Sequence, residues 1–129
     1  MTFVSDHADG GRVEKRKESA DEVVKTIDFN TFLKANDDIT FLNMDIEGAE
    51  DTVFFHCIER MVRIPFLFIE YHSFSNREQI IGSILHSLEK NGYRIHLRHE
   101  LSSTSPFVDR VERNGMDMQI NIFAKRTSK

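Results

Sequence analysis

The fold of this chain is decided by the stretch Ile39-Thr40-Phe41-Leu42-Asn43-Met44-Asp45-Ile46-Glu47-Gly48-Ala49-Glu50. Its first eight residues are mostly apolar, as expected of a strand that is buried on both faces of a parallel sheet. The acidic residues and the glycine that follow predict a turn into a helix. Pro65 marks the end of that helix, because proline is not tolerated in a helix interior. The apolar stripe of the helix is formed by Val53, Phe54, Cys57, Ile58 and Met61.

The alternation of strands and helices continues downstream. Residues 66–72 form a second apolar run with polar residues only at its C-terminal end, which predicts another buried strand. Asn76 is expected to cap a third helix that ends at Asn91-Gly92. Residues 93–97 and 118–124 each alternate between apolar and polar side chains, which indicates two further strands with a loop between them.

The sequence upstream of the deciding stretch is more polar. Residues 8–22 are charged and predict an exposed loop, whereas residues 23–27 are β-prone and predict a short strand. Asp28 has the character of an N-cap. It would begin a short helix with a single apolar stripe, formed by Phe29, Phe32 and Leu33.

The order of elements predicts an α/β fold. Strands that alternate with helices imply right-handed crossovers and a parallel sheet, and the last two strands, which have no helix between them, should pair antiparallel. We divide the chain into an N-terminal segment with a charged loop (1–22), a folded domain (23–126) and a tail (127–129).

Composition excludes several classes of protein. The chain has 129 residues, of which 40% are hydrophobic and 29% charged, and this is typical of one small folded domain. Its net charge of -4 gives no reason to expect nucleic acid or an anionic membrane as a partner, because both need a basic face. No apolar run approaches the roughly 20 residues of a membrane span. The single cysteine, Cys57, excludes an internal disulfide and favours a reducing compartment such as the cytoplasm.

Asp45 and Glu47 are the first candidate site residues. They follow a predicted parallel strand, and open α/β sheets bind ligands at the carboxyl ends of such strands. A carboxylate there could orient an acceptor or take its proton. The structural alternative is that Glu47 and Glu50 stabilise the positive N-terminus of the helix while Asp45 caps the turn. Gly48 predicts a close backbone approach or an unusual turn.

Glu70 and His72 are the second pair of candidates. They lie on the same side of their strand, because side chains alternate in direction along it. They are predicted to line a substrate pocket. Together with Asp45 and Glu47 they could also converge as a metal site with oxygen and nitrogen ligands, but the pattern is not specific and we assign no metal.

The remaining distinctive residues have ordinary structural explanations. The charged run at 15–17 is expected to be a solvated loop, and Cys57 a buried core thiol. Four histidines are expected at the surface, namely His56, His86, His96 and His99. Four aromatic residues are expected in the core, namely Phe54, Phe66, Phe68 and Phe123.

Residues 43–50 resemble the central motif of the FkbM family of S-adenosylmethionine-dependent methyltransferases. That motif is an Asp-hydrophobic-Glu-Gly-Ala-Glu run at the end of a buried strand. Residues 26–33 are similar to the segment before the motif, and residues 69–72 to the strand after it. The resemblance covers about residues 24–126. One departure is Asn43, where the family commonly has lysine.

The resemblance implies the C-terminal half of a Rossmann-like methyltransferase fold. It also implies transfer of a methyl group from S-adenosylmethionine to a hydroxyl of a small-molecule or glycan-like acceptor. Asp45 and Glu47 would then be catalytic, and Glu70 and His72 substrate-binding. Cofactor-binding residues stay unassigned, because the Gly-rich loop of the family is absent and Gly10-Gly11 has neither a preceding strand nor the matching spacing.

The missing half motivates a second hypothesis. The chain would be a non-catalytic, truncated domain that acts through protein interactions. The strand over residues 39–46 would normally pair with the first strand of the missing half, so its edge would be unpaired. An unpaired apolar edge favours association, and a homodimer through this edge is predicted.

Overall fold

The structure, a computed structural model, describes residues 2–4, 12–14, 22–23 and 26–127. Its first three strands are β1 (Thr2–Val4), β2 (Arg12–Glu14) and β3 (Glu22–Val23), and they form a small antiparallel sheet in the order β2-β1-β3.

This small sheet differs from the sequence prediction. Strand β2 lies within residues 8–22, which were predicted to be a loop, because β2 pairs with β1. The strand predicted at 23–27 begins one residue earlier, and residues 26–28 have no regular structure. The charged run at 15–17 and Gly10-Gly11 lie outside the described residues.

The second sheet has four strands and is mixed. The parallel pair is β4 (Phe41–Met44) and β5 (Phe66–Phe74), and the antiparallel strands are β6 (Tyr93–Leu101) and β7 (Met116–Arg126). The sheet order is β4-β5-β7-β6. The predicted α/β class and the predicted antiparallel pairing of the last two strands are therefore confirmed. The insertion of β7 between β5 and β6 was not predicted.

Within the described residues this sheet is accompanied by three helices, namely α1 (Phe29–Ala35), α2 (Glu50–Met61) and α3 (Ile81–Lys90). Asp28 caps α1, as predicted, by accepting a hydrogen bond from the Asn30 amide at 3.1 Å. Helix α3 ends at Lys90 with Asn91 as its C-cap, which agrees with the predicted stop at Asn91-Gly92.

The predicted cap at Asn76 is wrong. Helix α3 begins at Ile81, and the Ile80 amide donates to the Tyr71 hydroxyl at 3.1 Å. The Arg77 amide donates to the Phe74 carbonyl at 3.0 Å, so the residues after β5 form a turn first. Contacts with the end of β5 thus delay the start of the helix beyond the local capping signal.

The core lies between the helices and one face of the four-stranded sheet. Phe54 and Cys57 are buried there, as predicted. Strand β5 contributes alternate residues to this face, because side chains alternate across a strand. The buried side chains with the smallest exposure are Phe54, Met61, Ile69, Ile84, Leu88 and Ile122.

The opposite face of the sheet is more open. Phe66 and Phe123, which were predicted to be core, are 44% and 41% exposed. Phe68 is half-buried, with its ring centre 5.0 Å from that of Phe123. The core prediction was wrong for these residues because the helices that pack on the sheet contact the other face.

Strand β4 departs from the prediction in the same way. It was expected to be buried on both faces, but Phe41 and Asn43 are exposed. Within the described residues β4 pairs only with β5 and is therefore an edge strand of this sheet. Across the part of the chain that the structure describes, no helix has the length and apolar character needed to cross a membrane.

Candidate functional site

The turn between β4 and α2 has an unusual backbone. Glu47 has a φ of 52° and Gly48 a φ of 90°, so both lie in the left-handed region. A side chain at Gly48 would collide with the Phe74 ring, and its Cβ would lie 3.3 Å from Arg77 Nη1. That guanidinium donates to the Gly48 carbonyl at 2.8 Å. The prediction that Gly48 marks a close approach and an unusual turn is confirmed.

The buried side chain of Glu50 stabilises the turn between β4 and α2. Its buried carboxylate accepts hydrogen bonds from the Ile46 amide at 3.2 Å and the Gly48 amide at 3.0 Å. The same carboxylate lies 2.9 Å from His72 Nδ1. Glu50 thus has a structural role in the turn before α2, where the prediction had placed it at the helix N-terminus, and it has a second contact that the sequence did not predict. No local pattern signals that contact, because 22 residues separate the two side chains.

Three predicted site residues, Asp45, Glu47 and Glu70, come together around the fourth, His72. Its Nε2 atom lies 3.6 Å from Glu47 Oε2, 3.6 Å from Glu70 Oε1 and 4.0 Å from Asp45 Oδ1. The turn brings Asp45 and Glu47 to this point, and β5 supplies the other two residues. Parallel strands end at the same edge of the sheet, which explains the convergence.

The members of this acidic cluster (Asp45, Glu47, Glu70 and His72) differ in exposure. His72 is only 5% exposed, whereas the Asp45 side chain is 45% exposed. Glu47 and Glu70 are intermediate, and Gln119 Nε2 donates a hydrogen bond to Glu70 Oε1. Asp45 is therefore the member of the cluster through which solvent or a ligand has the most direct access.

Charges in the cluster change its acid–base properties. Burial by itself lowers the pKa of His72, but the hydrogen bond to Glu50 and the charges of Glu50, Glu47 and Asp45 outweigh it and raise the pKa. Burial raises the pKa of Glu47, against the opposing effect of His72. A carboxyl group with a raised pKa is a better proton acceptor at neutral pH.

The other histidines named in the sequence analysis are not part of the acidic cluster. His56, His86, His96 and His99 are exposed, as predicted. One of the other clefts among the described residues lies between α1 and the end of α2. It has a basic lining that includes Lys34, Arg60 and Arg63. The acidic cluster is therefore the place where the predicted site residues and the unusual backbone coincide.

Residues 2–95 match the family model of the methyltransferase FkbM domain. This chain belongs to the FkbM methyltransferase family. The match includes every residue of the acidic cluster, and it begins upstream of residue 24, where the sequence resemblance was recognised. It ends within β6, before β7. No curated protein and no solved structure matches the chain.

Family membership confirms the resemblance to FkbM methyltransferases. It does not test the assignment of the chain to the C-terminal half of a Rossmann-like fold, and that assignment stays a prediction. The roles of Asp45, Glu47, Glu70 and His72 also stay predictions, now with a defined geometry.

Proposed function

We propose that this FkbM domain transfers a methyl group from S-adenosylmethionine to a hydroxyl oxygen of a small-molecule or glycan-like acceptor. The observation that carries the proposal is the position of the acidic cluster inside the matched region, at the carboxyl ends of β4 and β5. Open α/β sheets bind their ligands at this edge, and a Rossmann-like arrangement of the domain is part of the proposal.

The reaction requires one proton to leave the acceptor. The hydroxyl oxygen forms a bond to the methyl carbon, the sulfur–methyl bond breaks, and its electron pair goes to sulfur. Asp45 is the residue that we assign to the acceptor side, because its carboxylate faces solvent within 4.0 Å of His72. It would orient the hydroxyl or take its proton. Glu47, with its raised pKa, is the second proton acceptor.

Glu70 and His72 would line the pocket. Both are held in place by neighbours, Glu70 by Gln119 and His72 by Glu50. Fixed side chains can hold an acceptor in line with the methyl group, and such positioning is a large part of catalysis in bimolecular transfers.

Among the described residues are groups suited to one part of the cofactor, its sulfonium. S-adenosylmethionine supplies the methyl group on a positively charged sulfonium, and a cluster of carboxylates is electrostatically suited to a cation. Residues for the adenosine portion are not identified among the described residues. Asp45 and Glu47 are therefore proposed to lie near the sulfonium, and no further cofactor ligand is assigned.

Calorimetric titration of the chain with S-adenosylmethionine and S-adenosylhomocysteine tests the proposal. The two compounds differ by the methyl group and its positive charge. We expect both to bind saturably and the charged one to bind more tightly, because the carboxylates attract the sulfonium. Asp45→Asn should reduce that preference, and Asp38→Asn is the matched control, since Asp38 is an exposed aspartate outside the cluster.

Two results would contradict the proposal. One is that a folded chain binds neither compound, and the other is that Asp45→Asn leaves the preference unchanged.

Neither the family match nor the geometry favours the alternative of a non-catalytic truncated domain.

The predicted homodimer remains a proposal about the β4 edge. Sedimentation velocity over a range of chain concentrations checks it. A single monomeric species at all concentrations would exclude association through this edge.

A further inference from the structure

The imidazole of His72 is buried but incompletely satisfied. The nearest carboxylate oxygens are 3.6 Å from Nε2, which is too long for a hydrogen bond. Among the described residues no other group forms a hydrogen bond with this atom, whereas Nδ1 is paired with Glu50. The Nε2 atom of this buried side chain thus faces three carboxylates without forming a hydrogen bond to any of them.

The spacing of the ligand atoms suits a central ion. One ligand atom from each of Asp45, Glu47 and His72 lies within 4.8 Å of the others. Ligands about 2.1 Å from a shared metal are about 3.4 Å apart at a tetrahedral angle and about 4.2 Å apart on opposite sides. The distances from Nε2 to the carboxylates, 3.6 to 4.0 Å, fall between these two limits.

The orientation of His72 is also that of a metal ligand. A carboxylate only accepts hydrogen bonds, so the pairing with Glu50 places the proton of a neutral imidazole on Nδ1. The lone pair is then on Nε2, which faces the three carboxylates. A carboxylate behind a ligating histidine fixes the ring and increases its basicity, and this arrangement recurs in metal proteins.

We propose that Asp45, Glu47 and His72 bind a divalent first-row transition-metal cation, with the carboxylate of Glu70 beside them. Three carboxylates offset the charge of a divalent ion. Carboxylates suit Mn²⁺ and imidazole suits the later metals of the row, so two carboxylates and one imidazole can bind the divalent ions from Mn²⁺ to Zn²⁺. This inference goes beyond methyl transfer, because binding of the cation requires neither cofactor nor acceptor.

A titration of the chain with Mn²⁺, followed by electron paramagnetic resonance, tests the site. The signal of free aqueous Mn²⁺ disappears when the ion binds, so it reports binding directly. We expect one saturable site per chain, and pulsed spectra of the bound ion should contain coupling to a histidine nitrogen. Zn²⁺ should displace Mn²⁺, because first-row affinities increase towards Cu²⁺ and Zn²⁺ still exceeds Mn²⁺.

Asp45→Asn is the informative variant. The Asp45 side chain is 45% exposed, so its replacement by the isosteric amide leaves the fold intact. We expect Mn²⁺ affinity to fall at least about tenfold, as it does when even an outer partner of a metal site is lost. Asp38→Asn makes the same change of charge outside the cluster and should leave the affinity unchanged. Circular dichroism checks that both variants fold.

The proposal is overturned if the folded chain leaves the free Mn²⁺ signal unchanged, or if Asp45→Asn and Asp38→Asn bind Mn²⁺ equally well. In the first case the cluster binds no cation, and in the second case the bound Mn²⁺ lies outside the cluster. Binding of Mn²⁺ without binding of S-adenosylmethionine would uphold the cation site and count against methyl transfer. The reverse result would uphold the proposed function and overturn the cation site.

Discussion

The two faces of the four-stranded sheet are formed by the same strands but differ in burial and in the residues that they carry. On β5, Leu67 and Ile69 are buried against the helices, while Phe66 and Glu70 on the opposite face are not fully buried. The helix-covered face is almost entirely apolar. The open face has aromatic residues at one end and the acidic cluster at the other. Along β5, the alternation of side chains therefore separates the residues that pack against the helices from the residues of the acidic cluster.

The largest expected effect compares the two faces within one strand. Ile69→Ala removes a fully buried side chain, and we expect the free energy of unfolding to fall by about 2–5 kcal/mol through lost burial and the cavity left behind. Phe66→Ala is the control on the open face. It should cost only about 1 kcal/mol, because nearly half of that side chain is already exposed. Urea denaturation measures both.

Equal losses of unfolding free energy for Ile69→Ala and Phe66→Ala would contradict the difference between the two faces. They would mean that the open face is covered in solution, for example by a second copy of the chain.

The next effect concerns the turn that leads into the acidic cluster. Gly48→Ala should destabilise the chain by about 1–3 kcal/mol, because a left-handed backbone is unfavourable for alanine and the Phe74 ring occupies the space. Gly82→Ala in α3 is the matched control. Apart from its chain neighbours and the backbone of its own helix, no atom lies within 4 Å of the added methyl group, so the substitution should stabilise the chain by up to about 1 kcal/mol. Thermal unfolding would detect the opposite signs, and the same sign for both would contradict the role of the turn.

The smallest expected effect is a loss of stability at alkaline pH, and it concerns Tyr93 in the core. Burial raises the pKa of Tyr93 to about 12, and its hydroxyl donates to the Met61 and Ile64 carbonyls. The folded state therefore holds this proton more tightly than the unfolded state. Stability from this group is present below pH 10 and is lost as the pH rises from about 10 to about 12.

At pH 11 the loss should be about 1 kcal/mol relative to pH 9, and Tyr93→Phe should lack this component. Denaturation at the two pH values measures it. An identical alkaline loss in the variant would assign the effect to other groups.

Much of the site was predictable because its residues follow strands. The order of apolar runs predicted that β4 and β5 end at the same edge, and this places Asp45 and Glu47 near Glu70 and His72. Contacts between distant residues were not predictable. The pairing of Glu50 with His72 has no local signature, and neither does the insertion of β7 between β5 and β6.

The failed predictions have a common physical cause. Phe66 and Leu67 are equally apolar, so composition did not distinguish the face that the helices cover from the face that they do not. Asn76 resembled a cap, but the Tyr71 hydroxyl satisfies the Ile80 amide and moves the start of α3. In each case a tertiary contact overrode a valid local tendency.

The double contact of Glu50 has a practical consequence for observing this site. One carboxylate joins the Gly48 amide to the His72 ring, so a change at the ring alters the hydrogen bond that the amide donates. Glycine amides resonate in a distinct region of a nitrogen–proton correlation spectrum, and this chain has only six glycines. Gly48 is thus a built-in reporter, and its chemical shift would follow occupancy of the acidic cluster without any added label.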